Sequence, residues 1–113
     1  MAVNTEIYDG IALISVDGDL ADEQATRLRK AVADTIESRH LAEFVIDLSA
    51  CVGVDSEGLE SLLFAKSRCD ALYGRLRLAL SDPNVLAILD ITRLRPRFDC
   101  SDTPEAAMKS LRS

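Results

Sequence analysis

The sequence contains no tryptophan, and its aromatic residues are two tyrosines and three phenylalanines, so aliphatic side chains must fill whatever core it forms. It has one histidine, His40. A histidine-based metal cluster or a histidine-activated nucleophile therefore has almost no raw material, and neither a metal nor a cofactor is expected. The three cysteines, Cys51, Cys69 and Cys100, are an odd number at wide spacing. They read as reduced thiols of a cytoplasmic protein rather than a disulfide framework, with Cys69 a small core hydrophobe. No apolar run approaches the ~20 residues of a membrane helix, and Met1-Ala2-Val3-Asn4-Thr5-Glu6 shows no basic-then-apolar leader, so neither membrane insertion nor export is expected. Positive charge is in the minority, with thirteen Lys and Arg against nineteen Asp and Glu and a formal net charge of −6. Phosphate-backbone binding relies on clustered Lys and Arg, so nucleic acid is not an expected partner. The segment Arg93-Leu94-Arg95-Pro96-Arg97 is a local exception and reads as a solvated loop, or as a handle for an acidic partner. A P-loop and a dinucleotide-binding fingerprint are also missing.

What is present is an ordinary globular composition. The 113 residues are 48% hydrophobic and 28% charged, which suits a single domain over 1–113 with one packed core. Asp9-Gly10 lies between Ile7-Tyr8 and Ile11-Ala12-Leu13-Ile14, the pattern of a β-hairpin with a tight turn. Gly18-Asp19 ends the second strand. From Asp22 to about Ser38 the apolar residues Ala25, Leu28, Val32 and Ile36 recur at helical spacing. Glu43-Phe44-Val45-Ile46-Asp47-Leu48 is a short apolar run of the kind found in a strand covered on both faces. A second helix is predicted from about Ser56 to Tyr73, stopped by Gly74. Arg75 to Leu80 alternates like a strand, and Asp82-Pro83 opens a third helix over Asn84–Ile91. A weak strand near Arg97-Phe98 and a helix from Thr103-Pro104 to Leu111 follow. The expected fold is α/β, with a mostly parallel four- to five-stranded sheet, an N-terminal β-hairpin and about four helices.

The stretch Asp55-Ser56-Glu57-Gly58 presents a small hydroxyl between two carboxylates at the start of the second helix. Ser56 is a preferred N-cap, a role worth ~1 kcal/mol. Asp55 could cap as well, and Glu57 complements the positive end of the helix dipole. A helical wheel puts Leu59, Leu62, Leu63, Cys69 and Tyr73 on the side facing the sheet, with the stem of Lys66 along it. It puts Glu57, Ser61, Phe64 and Arg68 opposite. Phe64 on that face is either an incidental surface aromatic, covered by a loop, or a partner contact.

Read as a whole, "VIDLSACVGVDSEGLESLL" closely resembles, without a gap, the signature of the STAS domain family, and in particular of the bacterial anti-sigma factor antagonists. There a strand ending in Asp-Leu-Ser leads to an Asp-Ser-[Ser/Thr]-Gly-Leu helix start. Gly18-Asp19-Leu20 is similar to that family's turn after the second strand. "RLRLALSDPNVLAILDITRL" looks like its fourth strand, third helix and following loop, and "DTPEAAMKSL" like its last helix. The resemblance implies that Ser56 is a phosphoacceptor. The partner would be an anti-sigma factor that is also an ATP-dependent serine kinase, and a serine phosphatase would reset the cycle. Unphosphorylated protein would bind the anti-sigma factor and free a sigma factor for transcription; the domain itself would catalyse nothing. Three positions differ from the family pattern: Glu57 replaces a second hydroxyl, Ala21 stands where the turn commonly has Asp, and Arg93 stands where a Gly commonly precedes Leu94.

The expected contact surface is Asp19, Asp55, Ser56, Glu57 and Phe64, and Asp19 reads equally as a plain turn residue or a cap of the first helix. A second reading keeps the fold without the switch, as a scaffold subunit of a signalling assembly or membrane transporter system. An enzymatic reading, with Ser56 as nucleophile beside Asp55, lacks a base and an oxyanion signature.

Overall fold

A computed structural model describes residues 2–112. The chain runs β1 (Ala2–Tyr8), β2 (Ile11–Asp17), α1 (Glu23–Arg39), β3 (Glu43–Asp47), α2 (Ser56–Ala71), β4 (Arg75–Ala79), α3 (Pro83–Ile91), β5 (Asp99–Ser101) and α4 (Pro104–Arg112), with one 3-10 turn over Arg95–Arg97. The strands form one five-stranded sheet in the order β1-β2-β3-β4-β5. The hairpin pair β1–β2 is antiparallel, with Tyr8 opposite Ile11, and the remaining three pairs are parallel. This is the α/β arrangement expected from the alternation of strand and helix patterns.

Pleating sends alternate residues to opposite faces, and each face has its own core. On one face Ala12, Ile14, Val16, Phe44, Ile46, Leu76 and Leu78 pack with Leu28 and Val32 of α1, Leu62 and Cys69 of α2, and Val85 and Leu89 of α3. On the other, Ile11, Val45 and Ala79 pack with Ala107, Met108 and Leu111 of α4. Phe44 and Val45 are therefore both fully buried although they point in opposite directions, as a strand covered on both faces requires. Among the described residues no helix is long and apolar enough to cross a membrane.

The structure corrects two element boundaries. α2 ends at Ala71, and Tyr73 takes a left-handed conformation (φ 57°) just beyond it, with 98% of its surface exposed. The N–H of Tyr73 donates to the Asp70 carbonyl at 3.1 Å and that of Gly74 to the Cys69 carbonyl at 2.8 Å, the paired bonds of a Schellman motif. Gly74 therefore does not provide the left-handed residue. A Cβ there would lie 1.9 Å from the Ala42 carbonyl oxygen, so close approach of the loops demands glycine. The last strand is Asp99–Ser101 rather than Arg97-Phe98, because Pro96 and the 3-10 turn occupy the preceding residues.

Candidate functional site

The site is built where two loops above the carboxyl ends of β2 and β3 lie side by side. Leu20, three residues past β2, forms a one-residue parallel bridge with Val54. Its N–H donates to the Gly53 carbonyl (3.1 Å), and its carbonyl accepts from Asp55 N–H (3.3 Å). Side chains extend this zipper. Asp19 Oδ1 accepts from Val52 N–H at 3.2 Å, and Asp55 Oδ2 accepts from Asp22 N–H at 3.2 Å. Asp22, the residue before α1, has φ 50° and makes no side-chain cap. Such a non-glycine conformation costs free energy and persists where its surroundings hold it; the bond to Asp55 is one such restraint.

Asp55 is the N-cap of α2. Its Oδ1 accepts from Gly58 N–H at 2.8 Å, while Oδ2 holds the neighbouring turn. Between the two capping candidates, the structure thus selects Asp55 and leaves Ser56 as the first helical residue. The Ser56 side chain is exposed, and its hydroxyl makes no hydrogen bond among the described residues. Gly58 is buried beneath the turn, and a Cβ on it would meet the Leu20 carbonyl oxygen at 2.1 Å. Glu57 is exposed, and its carboxylate lies 3.6 Å from the Arg29 guanidinium of α1.

The buried stripe of α2 differs from the one the leucines predict. Gly58, Ser61, Leu62, Ala65 and Cys69 are buried, Leu59 and Leu63 are half-buried, and Ser61 Oγ donates to the Gly58 carbonyl at 2.6 Å. Small residues line the stripe because α2 packs against α1 and the Leu20 turn as well as the sheet. Phe64 is likewise not on a wet face. It is half-buried against the core, with the Arg68 guanidinium 5.6 Å from its ring centre. It also lies eight residues beyond Ser56, about 12 Å along the helix axis.

Four of the five expected contact residues, Asp19, Asp55, Ser56 and Glu57, thus gather at one end of the fold and Phe64 does not. Asp19 acts as a turn residue that ties down the β3–α2 loop, and the residue before α1 is Asp22. Three members of the cluster were missed in the sequence. Val52 is a large apolar residue with 59% of its surface exposed, next to the Asp19 carboxylate. Its only sequence signal was an apolar residue inside a turn-rich stretch. Asp22 and Arg29 depend on contacts across elements and left no local signal. A cleft of about 460 Å³ lined by Asp19, Ala21, Asp22, Glu23, Gln24 and Arg27 opens beside the cluster.

Residues 2–107 match the model of the STAS domain. The chain belongs to the STAS domain family. Among curated proteins none matches the sequence. Solved STAS-like structures superpose well. An anti-sigma factor antagonist from Mycobacterium paratuberculosis is 24% identical, with a TM-score of 0.86 over 99% of this chain and 94% of its own. The phosphorylated form of the Bacillus cell fate determinant SpoIIAA, also solved unphosphorylated and described there as an anti-sigma factor antagonist, is 19% identical. Its TM-score is 0.76 over 96% of this chain and 98% of its own. A sulfate transporter family protein from Wolinella succinogenes is 18% identical, with a TM-score of 0.82 over 95% and 88%. At these identities the likeness is one of fold, and this STAS domain shares its architecture with proteins of different roles.

Proposed function

We propose that this STAS domain is a phosphorylation-controlled protein-binding module of a bacterial cytoplasm, with Ser56 as its phosphoacceptor. It binds an anti-sigma factor that is also a serine kinase, and so frees a sigma factor for transcription. The observation that carries this reading is the exposed, unbonded Ser56 hydroxyl on the first turn of α2, standing on a cap made by its neighbour Asp55. A hydroxyl with no structural duty can be esterified without removing a bond the fold depends on.

In the transfer, Ser56 Oγ bonds to the γ-phosphorus of ATP, the bond to the β–γ bridging oxygen breaks, ADP leaves, and the hydroxyl proton passes to a base of the kinase. The product carries about −1.5 to −2 charge at neutral pH. The free N–H groups of the helix start tolerate an anion, so the domain stays folded. The partner's surface then has to desolvate a dianion, at a cost of several kcal/mol unless a cation receives it. At about 1.4 kcal/mol per tenfold in affinity, one phosphate ends binding. A serine phosphatase restores the hydroxyl. The domain is the substrate in this cycle and catalyses neither step.

Incubation with ATP and the cognate kinase, followed by mass-spectrometric mapping, checks the assignment; added mass at any other residue overturns it. Ser56→Ala is expected to keep partner binding and lose its regulation, while Ser56→Asp weakens binding. If Ser56→Asp bound as tightly as wild type, the electrostatic account would fail.

A second reading, a scaffold subunit without a switch, draws support from Glu57, which sets a permanent carboxylate beside Ser56. Pull-downs with wild-type and Ser56→Asp baits separate the two, because a scaffold retains the same partners with both.

A further inference from the structure

Most of the charge around Ser56 has the wrong sign for a phosphate. On its own element it is flanked by Asp55 and Glu57, and Glu60 lies one helical turn on, in the i+4 position. From the turn before α1, Asp22 is bonded through its N–H to the Asp55 carboxylate. From α1 comes an opposing charge, Arg29, whose terminal nitrogen lies 3.6 Å from the Glu57 carboxylate and whose side chain is 29% exposed. Arg29 is also steadied by donating to Thr26 Oγ1 at 3.3 Å. Its neighbour Arg27 is turned towards Glu23 and Gln24.

We propose that Arg29 is the internal counter-cation of phosphorylated Ser56: the guanidinium exchanges the Glu57 carboxylate for the phosphate and leaves Glu57 free in solvent. The inference rests on the reading of Ser56 as the phosphoacceptor. A guanidinium pairs with phosphate through a two-pronged fork, and the phosphate carries up to twice the charge of the carboxylate it displaces. Modification thus changes two groups at the surface, because a neutral hydroxyl becomes a paired dianion and a paired Glu57 becomes an unpaired one. The substitution that sets this chain apart from the usual second hydroxyl, Glu57, then acts as a placeholder that keeps Arg29 over the helix start before the phosphate arrives.

The test places phosphoserine at Ser56 during synthesis of the full chain, so neither kinase nor partner is needed. Failure of the partner assay leaves this experiment intact, and the two failures can be told apart. Phosphorus NMR follows the second ionisation of the phosphate, ordinarily near about 6. Loss of a surface pair of this kind moves it by roughly half a pH unit. Arg29→Gln is expected to raise it by that amount, Arg29→Lys to restore part of the shift, and Glu57→Gln to lower it. Nitrogen–proton spectra should show the Arg29 side-chain signal moving on phosphorylation, in a protein whose backbone spectrum is otherwise unchanged away from α2. An ionisation that is the same in wild type and Arg29→Gln, or an Arg29 signal indifferent to the phosphate, overturns the proposal.

Discussion

Adding one methyl group at Gly58 tests whether the Leu20 turn and the start of α2 are locked together. In Gly58→Ala the new Cβ would stand 2.1 Å from the Leu20 carbonyl oxygen and 2.8 Å from Val54 Cγ1, where real Cβ contacts stay beyond 3.0 Å. The closer contact is the Leu20 backbone carbonyl, which no side-chain rotation can move aside, so α2 and the turn must separate by about 1 Å, the gap between that distance and ordinary contact. Two backbone bonds span that seam, Leu20 N–H to Gly53 O and Asp55 N–H to Leu20 O, and the Asp55 cap on Gly58 N–H sits beside it. At about 1 kcal/mol net for each bond and for the cap, up to ~3 kcal/mol is at stake. Replacing glycine by alanine in a helix returns at most ~1 kcal/mol. The net expectation is a loss of about 2 kcal/mol, or roughly 10 °C in Tm for a domain of this size. Thermal unfolding followed by circular dichroism reads it, and binding of the partner should fall as well, because Asp19 and Ser56 are displaced relative to each other. A variant that melts at or above the wild-type temperature would refute the claim that this seam holds the site in shape.

Val52→Ala is expected to leave stability nearly unchanged and to weaken partner binding by about 1 kcal/mol, some fivefold, since the exposed side chain is worth burying only in an interface; titration calorimetry with the proposed anti-sigma factor partner measures it. Arg93 holds a left-handed conformation (φ 61°) after α3, in a Schellman motif closed by Leu94 N–H on the Leu89 carbonyl, so Arg93→Gly should stabilise the protein by up to about 1 kcal/mol in urea unfolding. The hydrogen bond from Arg75, backed by the Arg77 charge and opposed by partial burial, holds the Glu43 carboxyl below its ordinary value of 4.5. Its contribution is therefore full above that value and lost as pH falls through the lower native one, so the stability difference between wild type and Glu43→Gln should shrink towards zero in acid. Burial pushes the Cys69 thiol up to about 11, so under native conditions at pH near 8 an alkylating reagent should modify the exposed Cys100 and spare Cys69 until the protein unfolds.

The fold was legible because its elements are each consistent with their own sequence pattern. Phe44-Val45-Ile46 reads as a strand buried on both faces and is one, and Pro83 opens α3 at the position where its missing N–H costs least. The ends of helices were harder to read, and glycine explains why. With only five glycines, the chain gives Gly58 and Gly74 to close backbone approaches, and Gly10 and Gly18 to left-handed turns. The left-handed residues after α1, α2 and α3 are then His40, Tyr73 and Arg93, none of which advertises a helix stop. The face of α2 was misread for a related reason. Apolar periodicity finds what faces a sheet, but Gly58, Ser61 and Ala65 are buried because a second helix and a turn come close, and small residues carry no such signal. Arg29 and Asp22 became part of the site only once α1 and α2 were brought side by side.

Within the site, the same carboxylates that attract attention in the sequence are largely committed to holding it together. Both oxygens of Asp55 are bonded to backbone, one in its own helix and one in the next turn, and Asp19 is bonded to Val52 N–H. Among the described residues Ser56 and the Val52 side chain carry no comparable tie, and Glu57 is held by a partly exposed ion pair. Loss of binding in Asp19→Ala or Asp55→Ala would therefore not identify a contact, because the frame loosens in the same step. Asp55→Ala should cost about 1 kcal/mol or more of stability through the cap alone. Substitutions at Ser56, Val52 and Glu57 leave the zipper between Leu20 and Val54 untouched, so a change in affinity there reports on the partner's surface. The division also explains how a phosphate on Ser56, as proposed, ends binding without unfolding the domain: it lands on a group the frame does not use, and the bonds made by Asp19, Asp55 and the Leu20 backbone stay in place.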